Sequence, residues 1–192
     1  MTAAIILAAG ESSRLGQTKQ NLLFNGQTLL ERAVNSALQS NCDPVIIVLG
    51  ANADKINPIT GVTILYNKDW QEGMASSIRI GIDEINRNLS VNNTIILLCD
   101  QPFVNATLLN TLIEKHTQTG KPIIASAYSG ITGVPVLFQR SLFAELLLLR
   151  GHEGAKKILI THANGIATVP FEQGNIDIDT ISDYENLIKL SD

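Results

Sequence analysis

The sequence predicts a doubly wound α/β domain, a mostly parallel sheet with helices on both faces. Three observations lead there. Short, nearly uninterrupted runs of Val, Ile, Leu and Ala recur along the chain, as strands buried on both faces require. Amphipathic stretches with apolar residues at intervals of three and four separate those runs. The chain has 192 residues, 45% hydrophobic and 17% charged, which is enough for one core and too apolar for disorder.

The elements follow in order. Ala3–Ala8 reads as a buried strand. Thr28–Ser40 reads as a helix with Leu29, Leu30, Ala33, Val34, Ala37 and Leu38 on one face. Pro44 breaks the chain ahead of a second strand, Val45–Leu49, and Val62–Tyr66 is a third. Glu72–Arg87 is helical in pattern, with Met74, Ile78, Ile82 and Ile85 on one side. Thr94–Leu98 is a fourth strand, and Asn105 suits the N-cap of a helix carrying Leu108, Leu109, Leu112 and Ile113. Beyond Pro122, Ile123–Ala127 and Val134–Phe138 read as short strands, with Tyr128–Gly133 a loop of small residues between them. Helices are expected at Ser141–Leu149, Gly154–Thr161 and Ser182–Leu190. No repeat or linker divides the chain, so residues 1–192 are read as one domain.

Composition excludes several classes. A net charge of −4 argues against a nucleic-acid binder, which would show a basic face, yet leaves room for one basic pocket. Cys42 and Cys99 stand far apart with no metal-ligand spacing, and two reduced thiols in a cytoplasmic protein are expected. The apolar run Ala3–Ala9 is too short and unflanked for a signal peptide. No apolar stretch approaches the roughly 20 residues of a membrane span, so a cytoplasmic protein with no membrane partner is expected.

In sheets of this kind ligands bind beyond the carboxyl ends of the strands. The first such loop reads Leu7-Ala8-Ala9-Gly10-Glu11-Ser12-Ser13-Arg14-Leu15-Gly16-Gln17-Thr18-Lys19. Small residues at Ala8, Ala9 and Gly10 let the backbone approach a ligand, and successive N–H groups can cradle an anion. Arg14 and Lys19 add positive charge suited to a polyphosphate. Ser12 and Leu15 stand where a dinucleotide fingerprint needs glycine, and Leu15 and Gly16 break the P-loop pattern. The plain alternative is a glycine turn with two surface cations.

Three later segments bear on chemistry. Asn67-Lys68-Asp69-Trp70-Gln71-Glu72-Gly73-Met74-Ala75-Ser76-Ser77 follows the third strand, where Gly73 permits a bend and Ser76 or Ser77 can cap a helix or meet a ligand. Asp100 ends the fourth strand, as a turn carboxylate or as a Mg²⁺ ligand facing the glycine loop. In Asp177-Ile178-Asp179, strand alternation puts both carboxylates on one face. Their mutual repulsion favours a bound cation, the alternative being an acidic cap for the last helix.

The first loop, as Leu7-Ala8-Ala9-Gly10-x-Ser12-x-Arg14-x-Gly16-x-x-Lys19, resembles the signature loop of nucleoside-triphosphate transferases, in particular the MobA/MocA-like nucleotidyltransferases of the molybdenum cofactor. The later segments match in order, down to the ending Asp177-x-Asp179-Thr180-x-x-Asp183-Tyr184. The resemblance implies a Rossmann-like nucleotidyltransferase fold. It implies that Gly10, Arg14 and Lys19 hold the phosphates of a nucleotide lying along Leu7, Ala8 and Ala9. It assigns Asn67, Gly73, Ser77 and, less directly, Ser76 to base and ribose. It completes a Mg²⁺ site of Asp100 with Asp177 or Asp179, the latter slightly preferred, and makes Arg14, Lys19 and Asp100 the catalytic group.

The reaction so implied is attack by an acceptor phosphate on the α-phosphate of a nucleoside triphosphate, with release of pyrophosphate. Ala9, where guanylyl transferases of the family carry glycine, crowds a purine and favours CTP. The acceptor would be molybdopterin, with a molybdoenzyme as client. Two departures bear on the acceptor. His152 and Lys156 stand in Gly151-His152-Glu153-Gly154-Ala155-Lys156 where the family often has Asp and Arg, and all three histidines are read as solvated surface. Cys99 stands where the family has Gly. A transferase acting on a sugar or polyol phosphate, a non-catalytic carrier of the cofactor and a plain structural domain are the alternatives.

Overall fold

The computed structural model describes residues 1–190. Its strands are β1 (Thr2–Ala8), β2 (Leu23–Phe24), β3 (Gln27–Thr28), β4 (Cys42–Leu49), β5 (Thr63–Tyr66), β6 (Asn93–Leu98), β7 (Ile123–Tyr128), β8 (Ile131–Gln139) and β9 (Ile166–Pro170). Its helices are α1 (Leu29–Leu38), α2 (Met74–Asn86), α3 (Ala106–Thr119), α4 (Phe143–Leu147), α5 (Ala155–Thr161) and α6 (Ile181–Lys189).

Seven strands form one sheet in the order β5-β4-β1-β6-β8-β7-β9. All neighbours are parallel except β8, which runs antiparallel to both β6 and β7. The alternation of side chains along a strand sorts the apolar runs into two layers. Ala3, Ile5 and Leu7 of β1 face α2, α4 and α5 through Ile78, Ile82 and Phe143. Ala4, Ile6 and Ala8 face α1 and α3 through Val34, Leu109 and Leu112. Ile5 and Ile6 are completely buried, and each contributes about 1.5–3 kcal/mol by leaving water. A third, smaller cluster joins Leu15, Leu22, Phe24 and Leu29 to Ile178 and Leu187.

Local chemistry sets the helix ends. Thr28 and Glu31 form a reciprocal capping box on α1, and the Asn105 side chain accepts from the Leu108 amide at the start of α3. Gly120 ends α3 in the left-handed conformation. Thr180 and Asp183 make a second capping box on α6, so the cap there is not supplied by Asp177 or Asp179.

Several expectations are corrected. Pro44 lies within β4 rather than before it; the pairing of β4 with β5 begins only at Ile46, so the missing amide of Pro44 costs no ladder bond on that side. The expected loop Tyr128–Gly133 contracts to a Ser129-Gly130 turn, and β8 extends from Ile131 through nine residues. The hairpin β2–β3 and the edge strand β9 come in addition. The helix expected at Ser141–Leu149 is a 3₁₀ turn followed by the five residues of α4. Cys42 and Cys99 are both free and buried. No helix among the described residues is long and apolar enough to cross a membrane.

Candidate functional site

An open cleft of about 810 Å³ lies at the carboxyl ends of β1 and β6. The turn after β1 forms one wall and is held from behind. The buried Gln20 amide donates to the carbonyls of Ala8 at 2.7 Å and Gly10 at 3.3 Å. Ala51 donates its amide to Ala9, and Gly50 lies so close that a Cβ there would sit 2.6 Å from the Ala9 carbonyl oxygen. Ser12 adopts a left-handed conformation, and its hydroxyl accepts from the Lys19 amide. That bond folds the loop back so that Arg14 and Lys19 reach the cleft.

The ionic centre follows from that fold. Lys19 Nζ donates to Asp100 Oδ2 at 2.9 Å and to Asp179 Oδ1 at 2.7 Å, and Arg14 donates to Asp179 Oδ2 at 2.6 Å. Side-chain exposures of 11% for Lys19 and 16% for Asp100, against 69% for Arg14, make the first pair the buried one. Burial alone would lower the Lys19 pKa, but the carboxylates of Asp100 and Asp179 outweigh it and raise it. The hydrogen bond from Lys19 holds Asp179 below the ordinary carboxylate range. Asp177 shifts the other way: burial first, then the charges of Asp100 and Asp179, push it up. Cys99, also in the cleft lining, is pushed up to about 12 by burial and is unreactive as a thiolate.

Asp100 Oδ1 is buried and has no hydrogen-bond partner among the described residues. An orphaned carboxylate oxygen beside a second carboxylate, Asp177, that has no cationic hydrogen-bond partner among the described residues is a donor set suited to a hard divalent cation. Two carboxylates leave the remaining positions of such an ion to water and phosphate oxygens. Asp179, which the sequence slightly favours as the ligand, is instead engaged by two cations.

The structure thus brings together Leu7, Ala8, Ala9, Gly10, Arg14, Lys19, Gly73, Ser77, Asp100, Asp177 and Asp179 around one cleft. Asn67 and Ser76 are not in its lining. The Asn67 side chain is buried and donates to Ser76 Oγ at 2.8 Å and Ser77 Oγ at 2.9 Å. Ser76 in turn donates to the Gly73 carbonyl. Asn67 and Ser76 therefore shape the wall from behind it, and of the serines only Ser77 faces the cleft. Gln20 is not singled out by its sequence: between Lys19 and Asn21 it looks like one more polar loop residue, with no hint of its contact with the turn. His152, expected at the surface, is exposed, and it also lines the open cleft beside Gly73.

Fold and cleft together define an α/β domain with an open cleft over the carboxyl ends of parallel strands, walled by a glycine turn and lined by the cations of Arg14 and Lys19. Residues 4–166 match the MobA-like NTP transferase domain, and the chain belongs to that nucleotidyltransferase family. It is 35% identical over 137 residues to nicotine blue oxidoreductase of Paenarthrobacter nicotinovorans, spanning 69% of this chain and 65% of that protein. It is 26% identical over 194 residues to the purine catabolism protein PucB of Bacillus subtilis, covering 94% of this chain and 93% of PucB. It is 22% identical to the molybdenum cofactor cytidylyltransferase of Escherichia coli, covering 94% and 92%. The structure of Rv0371c from Mycobacterium tuberculosis superposes with a TM-score of 0.87 at 27% identity over 98% and 97% of the two chains. That protein has also been solved in complex with manganese.

Proposed function

We propose that this protein transfers CMP from CTP to the phosphate of molybdopterin, with Mg²⁺ as cofactor, in the cytoplasm. An oxygen of the acceptor phosphate forms a bond to the α-phosphorus. The bond from that phosphorus to the bridging oxygen breaks, and its electron pair leaves with pyrophosphate. The acceptor phosphate is ionised at neutral pH, so the chain needs no nucleophile or general base of its own. Its work is positioning and charge neutralisation. Lys19 and Arg14 exchange their carboxylate partners for phosphate oxygens. The amides around Gly10 approach the triphosphate, and Ser77, whose oxygen already accepts from Asn67, keeps its proton free to donate to the nucleotide. Asp100 and Asp177 would hold the metal, which when bound supplies positive charge to the phosphates and the leaving group.

The observation that carries this reading is the buried Lys19–Asp100 pair at the cleft floor with the orphaned Asp100 oxygen beside it. Thermal unfolding with CTP, GTP, UTP and ATP, each with and without Mg²⁺, tests it. A Mg²⁺-dependent stabilisation greatest for CTP, followed by pyrophosphate release on adding molybdopterin, is the expected result. No response to any nucleotide removes the transferase reading. Release with a sugar or polyol phosphate instead reassigns the acceptor.

A second reading draws on the 35%-identical relative, whose name is that of an oxidoreductase. That reading predicts redox turnover without pyrophosphate release, and it gives no role to the orphaned carboxylate oxygen.

A further inference from the structure

We propose that His152 binds the phosphate of the acceptor and thereby helps to select it; this inference rests on the transferase reading above. Three side chains in the cleft lining can carry positive charge: Arg14, Lys19 and His152. The first two come from the glycine turn and face the triphosphate. A second anionic substrate must enter a cleft that also holds Glu11, Asp100, Asp177 and Asp179. It needs a donor of its own, and His152 is the remaining side chain of the three with a ring N–H to offer.

The surroundings of His152 support that assignment. His116 is bound to the Lys121 carbonyl at 2.8 Å, and His162 pairs with Glu145 at 2.8 Å. The ring of His152 has no hydrogen-bond partner among the described residues, yet the loop that carries it is fixed on several sides. Glu72 accepts from the Gly151 amide at 3.1 Å, and the Gly151 carbonyl accepts from the Ala75 amide at 3.1 Å. Arg79 grips Glu72 and donates to the Leu149 carbonyl at 2.8 Å. Loop and helix α2 meet without room for side chains: a Cβ on Gly73 would lie 2.5 Å from the Gly151 oxygen, and one on Gly154 would lie 2.7 Å from the Met74 sulfur. The tethered backbone holds the exposed imidazole of His152 in the cleft lining, where it can meet an anionic group of a second substrate. The loop belongs to the crossover between β8 and β9, separate in sequence from the segments at 7–19 and 67–77, and it packs directly against the second of these.

Two measurements on the full chain test the proposal. In the first, imidazole proton resonances are followed at pH 7 as phenyl phosphate is added to protein saturated with its preferred nucleotide. His116 and His162 serve as internal controls, and His152→Asn assigns the third signal. The His152 resonance is expected to move saturably while the other two stay. In the second, steady-state kinetics compare wild type with His152→Ala and His152→Asn, using CTP, Mg²⁺ and molybdopterin. The KM for molybdopterin is expected to rise about 10- to 100-fold in His152→Ala, the loss of one charge-assisted hydrogen bond, with CTP KM within twofold. Partial recovery in His152→Asn would mark a donor role. A stationary His152 resonance overturns the proposal even in an active transferase, and so does a rise in CTP KM equal to that for molybdopterin. A moving resonance in a protein that transfers no nucleotide leaves the phosphate site standing and rejects the transferase reading.

Discussion

Replacing Lys19 by Met keeps the length of the side chain and removes its charge. In the wild type the ammonium lies 2.9 Å from Asp100 and 2.7 Å from Asp179. Breaking a buried ion pair from one side costs about 3–5 kcal/mol, because the partner is left charged and dry. Here Asp179 is a third exposed and keeps Arg14, so only Asp100 is stranded. That places the loss nearer about 2–4 kcal/mol, or a fall in Tm on the order of 4–16 °C for a chain of this size. The freed carboxylates should then bind a divalent cation more tightly than wild type does without nucleotide, and Mg²⁺ alone should restore part of the Tm. Turnover should still drop by at least about 100-fold, since a cation does not replace an ammonium aimed at phosphate. Calorimetric unfolding of both proteins with and without Mg²⁺, beside pyrophosphate release, reads all three quantities. An unchanged Tm, or turnover within tenfold of wild type, would refute the central role given to this lysine.

The two late aspartates should separate under the same assays. Asp177 has a raised pKa in the fold, so at neutral pH its ionised form disfavours folding. Asp177→Asn should therefore leave the metal-free protein as stable as wild type or more so, while abolishing the extra Tm gain from Mg²⁺ with CTP. Asp179 is held below the ordinary carboxylate range, so its contribution is present above that range and fades as the pH falls through its lowered value. Asp179→Asn should lower stability at pH 7 and flatten acid unfolding in that window, as a pH series of melts would record. Gly73→Ala forces a side chain onto a φ of +118° and against the Gly151 carbonyl; a loss of at least about 2 kcal/mol is expected by chemical denaturation. Asn67→Ala leaves two hydroxyls short of a buried donor and should cost about 1–3 kcal/mol, with CTP binding weakened through Ser77.

The parts of the fold that could be read beforehand are those whose local pattern carries the tertiary answer. Ala3–Ala8 is a run of small and branched apolar residues, and only a central strand buries all of them. Asn105 and Gly120 mark α3 by side-chain capping and by a left-handed residue. Strand β9 gave no such sign: Ile166-Ala167-Thr168-Val169-Pro170 is half-exposed at the sheet edge, so neither apolar continuity nor clean alternation marks it. The reversed direction of β8 is set by the two-residue turn after β7, a choice of topology that leaves no periodicity in the chain. At the site, charged residues in small-residue loops announced Arg14, Lys19, Asp100 and Asp179. Asn67 is assigned a ligand contact by the family resemblance alone; its burial against two serines is a tertiary fact that no local pattern carries. His152, between Gly151 and Glu153, has the local look of a solvent-facing loop and is exposed; that it also lines the cleft is set by the packing of its loop on α2.

What brings residues 14 and 19 to residues 177 and 179 is an apolar contact, and it can be tested without touching a charge. After β9 the chain returns across the sheet: the Phe171 amide donates to Ala127, and the Ile178 amide donates to Asp100. Ile178 is fully buried between the two aspartates and packs with Leu15 and Leu22 from the loop that carries Arg14 and Lys19. Opposite charges alone would not fix that register, because exposed pairs such as Arg14–Asp179 contribute little in water. Ile178→Ala should cost about 2–5 kcal/mol through the cavity it leaves. It should also lower turnover at temperatures where the variant is fully folded, because both walls of the ionic centre lose their common anchor. Hydrogen exchange should show amides near Leu15–Leu22 and Ile176–Thr180 losing protection together, with β1 unaffected. Loosening confined to the later segment, or full turnover in the folded variant, would show that the ion pairs position themselves and that the small cluster contributes only stability.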